Sequence, residues 1–168
     1  MNWGSLLFLG LCVVTGPAFA DWNARVEGPD VFGNVKAFAT TTGSDESMVV
    51  QCDQKDDLFV AFVFRKKPFE EMPSLPAELL VQVDGGTPLK LVATLRSWND
   101  NYGGVIASGR AIEQLTALRL IASARGKINV GAVIFGKQIS SSFSSQGSKS
   151  AMERSIKSCK LDNLDKKS

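Results

Sequence analysis

The chain has 168 residues, 44% of them apolar and 21% charged, with a formal net charge of +2 and no histidine. That length accommodates one domain with a real core, and a charge so small and evenly mixed argues against a nucleic-acid binder or a basic membrane-surface protein. The missing histidine excludes Ser–His and Cys–His nucleophilic catalysis and counts against a zinc enzyme.

The chain opens on an apolar run, Leu6 to Thr15. At about ten residues it has the length of a signal-peptide core, well short of the roughly 20 needed to span a bilayer. Gly16-Pro17 break the run before Ala18-Phe19-Ala20, a small-x-small processing pattern, so residues 1–20 read as a leader cut after Ala20. No Lys or Arg precedes the apolar core. Cys12 follows Leu11 rather than a small residue, which argues against lipidation. The expected mature chain is a β-rich domain over 21–161 with a charged, loose tail over 162–168, placed in the periplasm or secreted, and without a membrane span.

Asn23–Glu27 and Val31–Thr41 read as strands, the second loosely alternating. Thr42-Gly43-Ser44-Asp45 is turn chemistry. Ser47–Cys52 and the continuous apolar run Leu58–Phe64 then form a hairpin around Asp53-Gln54-Lys55-Asp56, with Leu58–Phe64 as a central strand. Arg65-Lys66-Lys67, the tightest basic run, sits beside Glu70-Glu71 and reads as a solvated loop. Pro68, Pro73 and Pro76 mark Phe69–Pro76 as a connection, in which Phe69 and Met72 offer a candidate partner patch. Leu79–Asp84 and Leu89–Trp98 follow as strands around the hairpin signal Asp84-Gly85-Gly86. A polar, aromatic loop over Trp98–Tyr102 ends in Gly103-Gly104 and leads into a strand over Val105–Ser108.

Ile112–Ala124 has helical periodicity, with Ile112, Leu115, Leu118 and Ala122 on one face, widened by Leu120 and Ile121, and Gly126 stops it. Ile128–Phe135 and the serine-rich Gln138–Ser145 read as strands. Ser148–Ser158 reads as a helix capped by Ser148, burying Ala151, Met152, Ile156 and Cys159. The sum is about eight or nine short strands and two helices, an α+β antiparallel sheet or sandwich-like domain.

Cys52 and Cys159 are the two cysteines of the expected mature chain. An even count in an exported protein favours a structural disulfide, which would tie the C-terminal helix to the sheet. A redox pair more often sits as C-x-x-C, and a metal site needs further ligands. No phosphate loop occurs, and Asn99-Asp100-Asn101 lacks the later acidic ligand of a calcium loop. No cofactor and no catalytic residue is expected. The carboxylates Asp53, Asp56, Asp57, Glu70, Glu71, Asp84 and Asp100 fall mostly in turns, where they serve local hydrogen bonds; an acid–base pair among them is the alternative. The most distinctive stretch is Trp98-Asn99-Asp100-Asn101-Tyr102, read either as a surface for sugar or peptide or as a hairpin loop with Trp98 in the core.

Met48-Val49-Val50-Gln51-Cys52, Leu58–Phe62, Val83-Asp84-Gly85-Gly86, Ser97-Trp98 and the Ala-Met-x-x-x-Ile-x-x-Cys segment Ala151–Cys159 together span most of the mature chain. In this layout the chain resembles small disulfide-containing periplasmic proteins of proteobacteria, including an accessory family found near type VI secretion genes. The resemblance implies a Cys52–Cys159 bridge and a non-enzymatic accessory or binding role toward a protein or envelope component. The composition is also similar to that of exported proteins of plant-associated alphaproteobacteria, for which a host-association role such as support of nodulation is the alternative expectation. An atypical carboxylate hydrolase is the third.

Overall fold

Strands form where apolar and polar residues alternate, because successive side chains leave a strand on opposite faces and only one face here meets the helices. The computed structural model describes residues 22–53, 58–66, 71–109, 112–134 and 136–164. In chain order these hold β1 (Asn23–Glu27), β2 (Lys36–Thr42), β3 (Glu46–Asp53), β4 (Leu58–Arg65), β5 (Leu75–Val83), β6 (Leu89–Ser97) and β7 (Tyr102–Ser108). There follow α1 (Ile112–Ser123), β8 (Lys127–Ile134), β9 (Lys137–Ser144) and α2 (Ser148–Ser158). The expected leader and its cleavage point, the turn residues 54–57 and the Phe69–Glu70 part of the proline loop lie outside the described residues.

The nine strands form one antiparallel sheet in the order β1-β2-β3-β4-β7-β6-β5-β8-β9, curled into a half-barrel. β3 and β4 make the expected hairpin, with Cys52 opposite Leu58 next to its turn. Both helices lie on the concave face. There Leu115, Leu118 and Ile121 of α1 and Ala151 and Met152 of α2 share a core with Val60, Leu79, Val81 and Ile128 of the sheet. β4 has no polar alternation because it is buried on both faces. Val60 and Phe62 enter this core, while Ala61 and Val63 form a small outer cluster with Ile106. Cys52 and Cys159 are both fully buried and bonded, with their Cα atoms 6.0 Å apart, so the C-terminal end of α2 is tied to the end of β3.

Several local expectations are corrected. The strand expected from Val31 starts only at Lys36, since the Asp30 carboxylate accepts the N–H groups of Phe32 and Asn34 (both 2.8 Å) and holds a turn there, leaving Val31 and Phe32 exposed. Pro76 lies inside β5 rather than in a connection. It faces Thr94 of β6, while β8 pairs with β5 only from Glu78, so on that side no strand needs the N–H a proline lacks. Gly103 and Gly104 belong to β7, not to a loop: a Cβ on Gly103 would stand 2.6 Å from the Met72 sulfur, so the glycine leaves room for Met72 as it packs on the strand.

The α1 face is rotated relative to the periodicity. Ile112 is 44% exposed, Ala122 is half-buried, and Gln114 and Ala117 are buried instead. Ser148 does not cap α2. Gly147, at φ 81°, is the capping residue, and the buried Ser148 Oγ–H donates to the Ile121 carbonyl oxygen (3.0 Å), linking the two helices. Ile156 is half-buried, its expected place on the buried side taken by Ser155. Of the expected tail, Asp162–Leu164 continue the fold through a 3-10 turn over Leu161–Asn163, with Leu164 against the core.

Candidate functional site

Trp98–Tyr102 is the turn between β6 and β7, built on one side chain. Asn99 Oδ1 accepts the N–H groups of Asn101 (2.9 Å) and Tyr102 (3.0 Å), while the Tyr102 carbonyl accepts those of Trp98 (2.8 Å) and Asn99 (3.1 Å). Lys66 clamps the turn from the end of β4. Its N–H donates to Asn101 O (3.0 Å) and its Nζ to Asp100 O (2.9 Å). The Trp98 ring, 36% exposed, packs by its edge on Phe59 (5.9 Å, 75°) over the convex face, where Tyr102 joins the outer cluster. The five residues expected as a binding surface therefore stay together, with their two aromatic rings spent on the outer face of the sheet.

Asp84 serves the backbone. Its φ of 50° and the 76° of Gly85 make the tight β5–β6 turn, and its carboxylate accepts the N–H groups of Arg125 (2.8 Å), Lys127 (2.9 Å) and Gly126 (2.8 Å) between α1 and β8. These bonds hold the carboxyl below its ordinary value of 3.8. A carboxyl lowered on folding stabilises the fold above its unfolded pKa, and that contribution is lost as pH falls through the folded one. Asp84→Asn is accordingly expected to lower the urea midpoint at neutral pH, with the gap from the parent closing as the pH drops below 3.8. A gap that stays constant down to the acid limb contradicts this role. Asp84 and Asp100 stand at opposite ends of β6, about 25–30 Å apart along a strand of this length, and share no cleft. Glu70 lies outside the described residues. Among the described residues no three Cys, Asp or Glu side chains gather as a metal-ligand set, and none of the described helices is long and apolar enough to cross a membrane.

A concavity lies on the other side of the sheet from Trp98. The helices cover the concave face toward Cys52, and at its far end the described residues leave a cleft of about 950 Å³. Its floor is the end of the main core that no described helix covers: Phe62 and Phe64 of β4, Met72, Leu95 of β6, Ile134 of β8 and Ile139 of β9. Its rim carries Asp45 and Glu46 from the β2–β3 turn, Arg65 and Lys66 from the end of β4, and Lys137 at the start of β9. Arg65 pairs with Asp45 (3.4 Å) across the mouth, and both are exposed. An apolar floor of this size within a ring of a few charged groups is the form of a ligand cleft.

Of these residues, sequence reasoning singles out Met72 as part of a partner patch and Arg65-Lys66 as a solvated run. Phe62, Phe64, Leu95, Ile134 and Ile139 read simply as strand interiors. No local signal separates a strand residue on the floor of a cleft from one beneath a helix, because both obey the same alternation. No protein family, characterised protein or solved structure matches the chain.

Proposed function

We propose that this chain is an exported, non-enzymatic binding protein, an accessory component of the periplasm or the cell exterior, and that it receives a protein or envelope component in the cleft at the open end of the half-barrel. The observation that carries this is an apolar floor of half-buried Phe64, Met72, Ile134 and Ile139 over the buried Phe62 and Leu95, inside a charged rim. A core with two helices to spare would bury that surface within the chain; leaving it open costs hydrophobic stabilisation that a partner returns. Export is supported by the apolar Leu6–Thr15 run before Ala18-Phe19-Ala20 and by the buried Cys52–Cys159 bond, since such bonds persist in oxidising compartments. The accessory role expected from the resemblance is supported by Asp30 and Asp84, whose carboxylates hold backbone turns.

The test introduces charge on the floor. Met72→Arg and Ile134→Arg alter half-buried positions, so the fold is expected to survive, as a thermal melt will show. Crosslinking in whole cells is expected to join the native chain to a specific partner or envelope component, and the charged variants are expected to lose it. Recovery undiminished in folded variants would sink the cleft as the binding site. A cytoplasmic chain that keeps its first twenty residues would sink the exported role.

A further inference from the structure

A half-barrel that does not close keeps two edge strands, and each has an outer side of backbone N–H and C=O groups along which no described strand pairs. The two edges are treated differently. β1 has only five residues, carries Arg25 and Glu27, and is covered by Arg154 of α2, whose Nη1 donates to Ala24 O (3.2 Å). β9 has eight residues, holds no proline, and pairs with β8 in unbroken register from Lys127↔Ser144 to Ile134↔Lys137.

The phase of that ladder determines what β9 shows to its free side. The Ser145 N–H bonds Gly126 O (3.1 Å), so Phe143, Ser141 and Ile139 turn their backbone groups toward β8, and Ser144, Ser142, Ser140 and Gln138 turn theirs outward. At the C-terminal end this edge is already used. Trp22 Nε1–H donates to Ser144 O (3.0 Å) and the Trp22 N–H to Gln146 O (3.0 Å). Further along, no described residue bonds the outward N–H and C=O groups of Gln138, Ser140 and Ser142, and all three residues are exposed. This open stretch borders the cleft: Lys137, Ile139 and Ser140 form one wall, facing Asp45 and Glu46.

We propose that the free edge of β9 accepts an extended segment of a partner protein as a tenth strand, with every second side chain of that segment seated in the cleft. This rests on the cleft being the binding site and names its occupant. An added strand meets two needs at once, pairing the outward groups of Gln138, Ser140 and Ser142 and covering the apolar floor beside Ile139. The recognised segment is therefore alternating: apolar on the cleft side, small or polar on the side of Ser140 and Ser142. Lys137 makes no ion pair among the described residues, which favours an acidic residue opposite it. A second copy of this chain meets the need poorly, because the inward Phe143 of its own β9 is 3% exposed and committed to its own core.

The probe is a short labelled peptide in which valine alternates with threonine, with one glutamate in the valine phase opposite Lys137, titrated by fluorescence anisotropy against the mature chain. The native chain is expected to bind it, with amide exchange at Ser140 and Ser142 slowed in the complex. Ser140→Pro removes an N–H that β8 does not use, so the ladder stays whole, and binding is expected to weaken roughly tenfold or more. Methylating the peptide nitrogens that face β9 is expected to weaken binding equally, with the protein untouched. Binding insensitive to both Ser140→Pro and N-methylation would overturn strand addition while leaving the cleft as a site. Failure of the native chain to bind the peptide, with cleft-dependent crosslinking intact, would overturn it too; loss of both would remove the cleft reading with it. A dimer in sedimentation that Ser140→Pro dissolves would overturn it in favour of a second copy.

Discussion

Replacing both cysteines, Cys52→Ala with Cys159→Ala, is expected to lower the unfolding free energy by about 4–5 kcal/mol in the chain-entropy account, a large share of the roughly 10 kcal/mol typical of a domain. The magnitude follows from the 107-residue separation of the two ends. In the folded chain the bond adds little that packing does not already hold. Met152 and Ala151 are buried, Ser148 is tied to α1, and α2 lies along β1 and β2. In the unfolded chain it closes a loop over most of the domain, and removing it returns that entropy. Urea titration therefore has two expected signatures: a lower midpoint, and a steeper slope because the unlinked chain exposes more surface on unfolding. Oxidised and reduced chains with coincident midpoints would contradict this. Alanine is the better replacement, because serine at two fully buried sites would add unpaired hydroxyls to the effect being measured.

How much of this architecture was legible follows from what kind of interaction decides each part. Short apolar runs bounded by turn residues mark β3, β4 and β6 directly, as does the Asp84-Gly85 turn, whose positive φ values favour such residues. The α2 bounds follow from Ala151, Met152, Ile156 and Cys159 behind Ser148, whereas the capping Gly147 and the buried Ser155 do not. Alternation says nothing about neighbours. That β4 pairs with β7 and β5 with β8 depends on long-range packing around α1, which no local pattern encodes. Side-chain competition hides the Asp30 turn, and a proline signal outweighs the strand at Pro76, whose missing N–H is tolerated because β8 pairs only from Glu78. The Trp98–Tyr102 loop drew attention because its aromatics stand near exposed amides. Their rings instead cover Ala61, Val63 and Ile106 on a sheet face without a helix, a demand visible only once β4 and β7 are known to be adjacent. The cleft was least legible of all, since its walls come from β2–β3, β4, β6, β8 and β9, brought together by the curl of the sheet.

Phe62 is the residue where stability and the cleft meet, and Phe62→Ala is expected to cost about 3–5 kcal/mol. Its ring is 1% exposed, lies tilted against Phe64 at 6.0 Å, and stands where the helix-covered core passes into the open floor. Truncation removes the contacts that join those two regions. The void opens toward the cleft, so water can enter it, which spares part of the cavity penalty and places the loss toward the lower end of the range. Met72→Ala makes the contrast: the side chain is half-buried on the same floor, and its loss is expected to cost about 1 kcal/mol, near the centre of the mutational distribution. Unfolding titrations of the two variants decide between a floor that is structural throughout and one that is structural only at its base. Equal and small losses would mean that the Phe62 ring does not support the core. Equal and large losses would mean that Met72 belongs to the core as well and that the open floor is shallower than the structure gives it. The expected inequality leaves a deep, rigid base under a rim that can change to suit a bound segment.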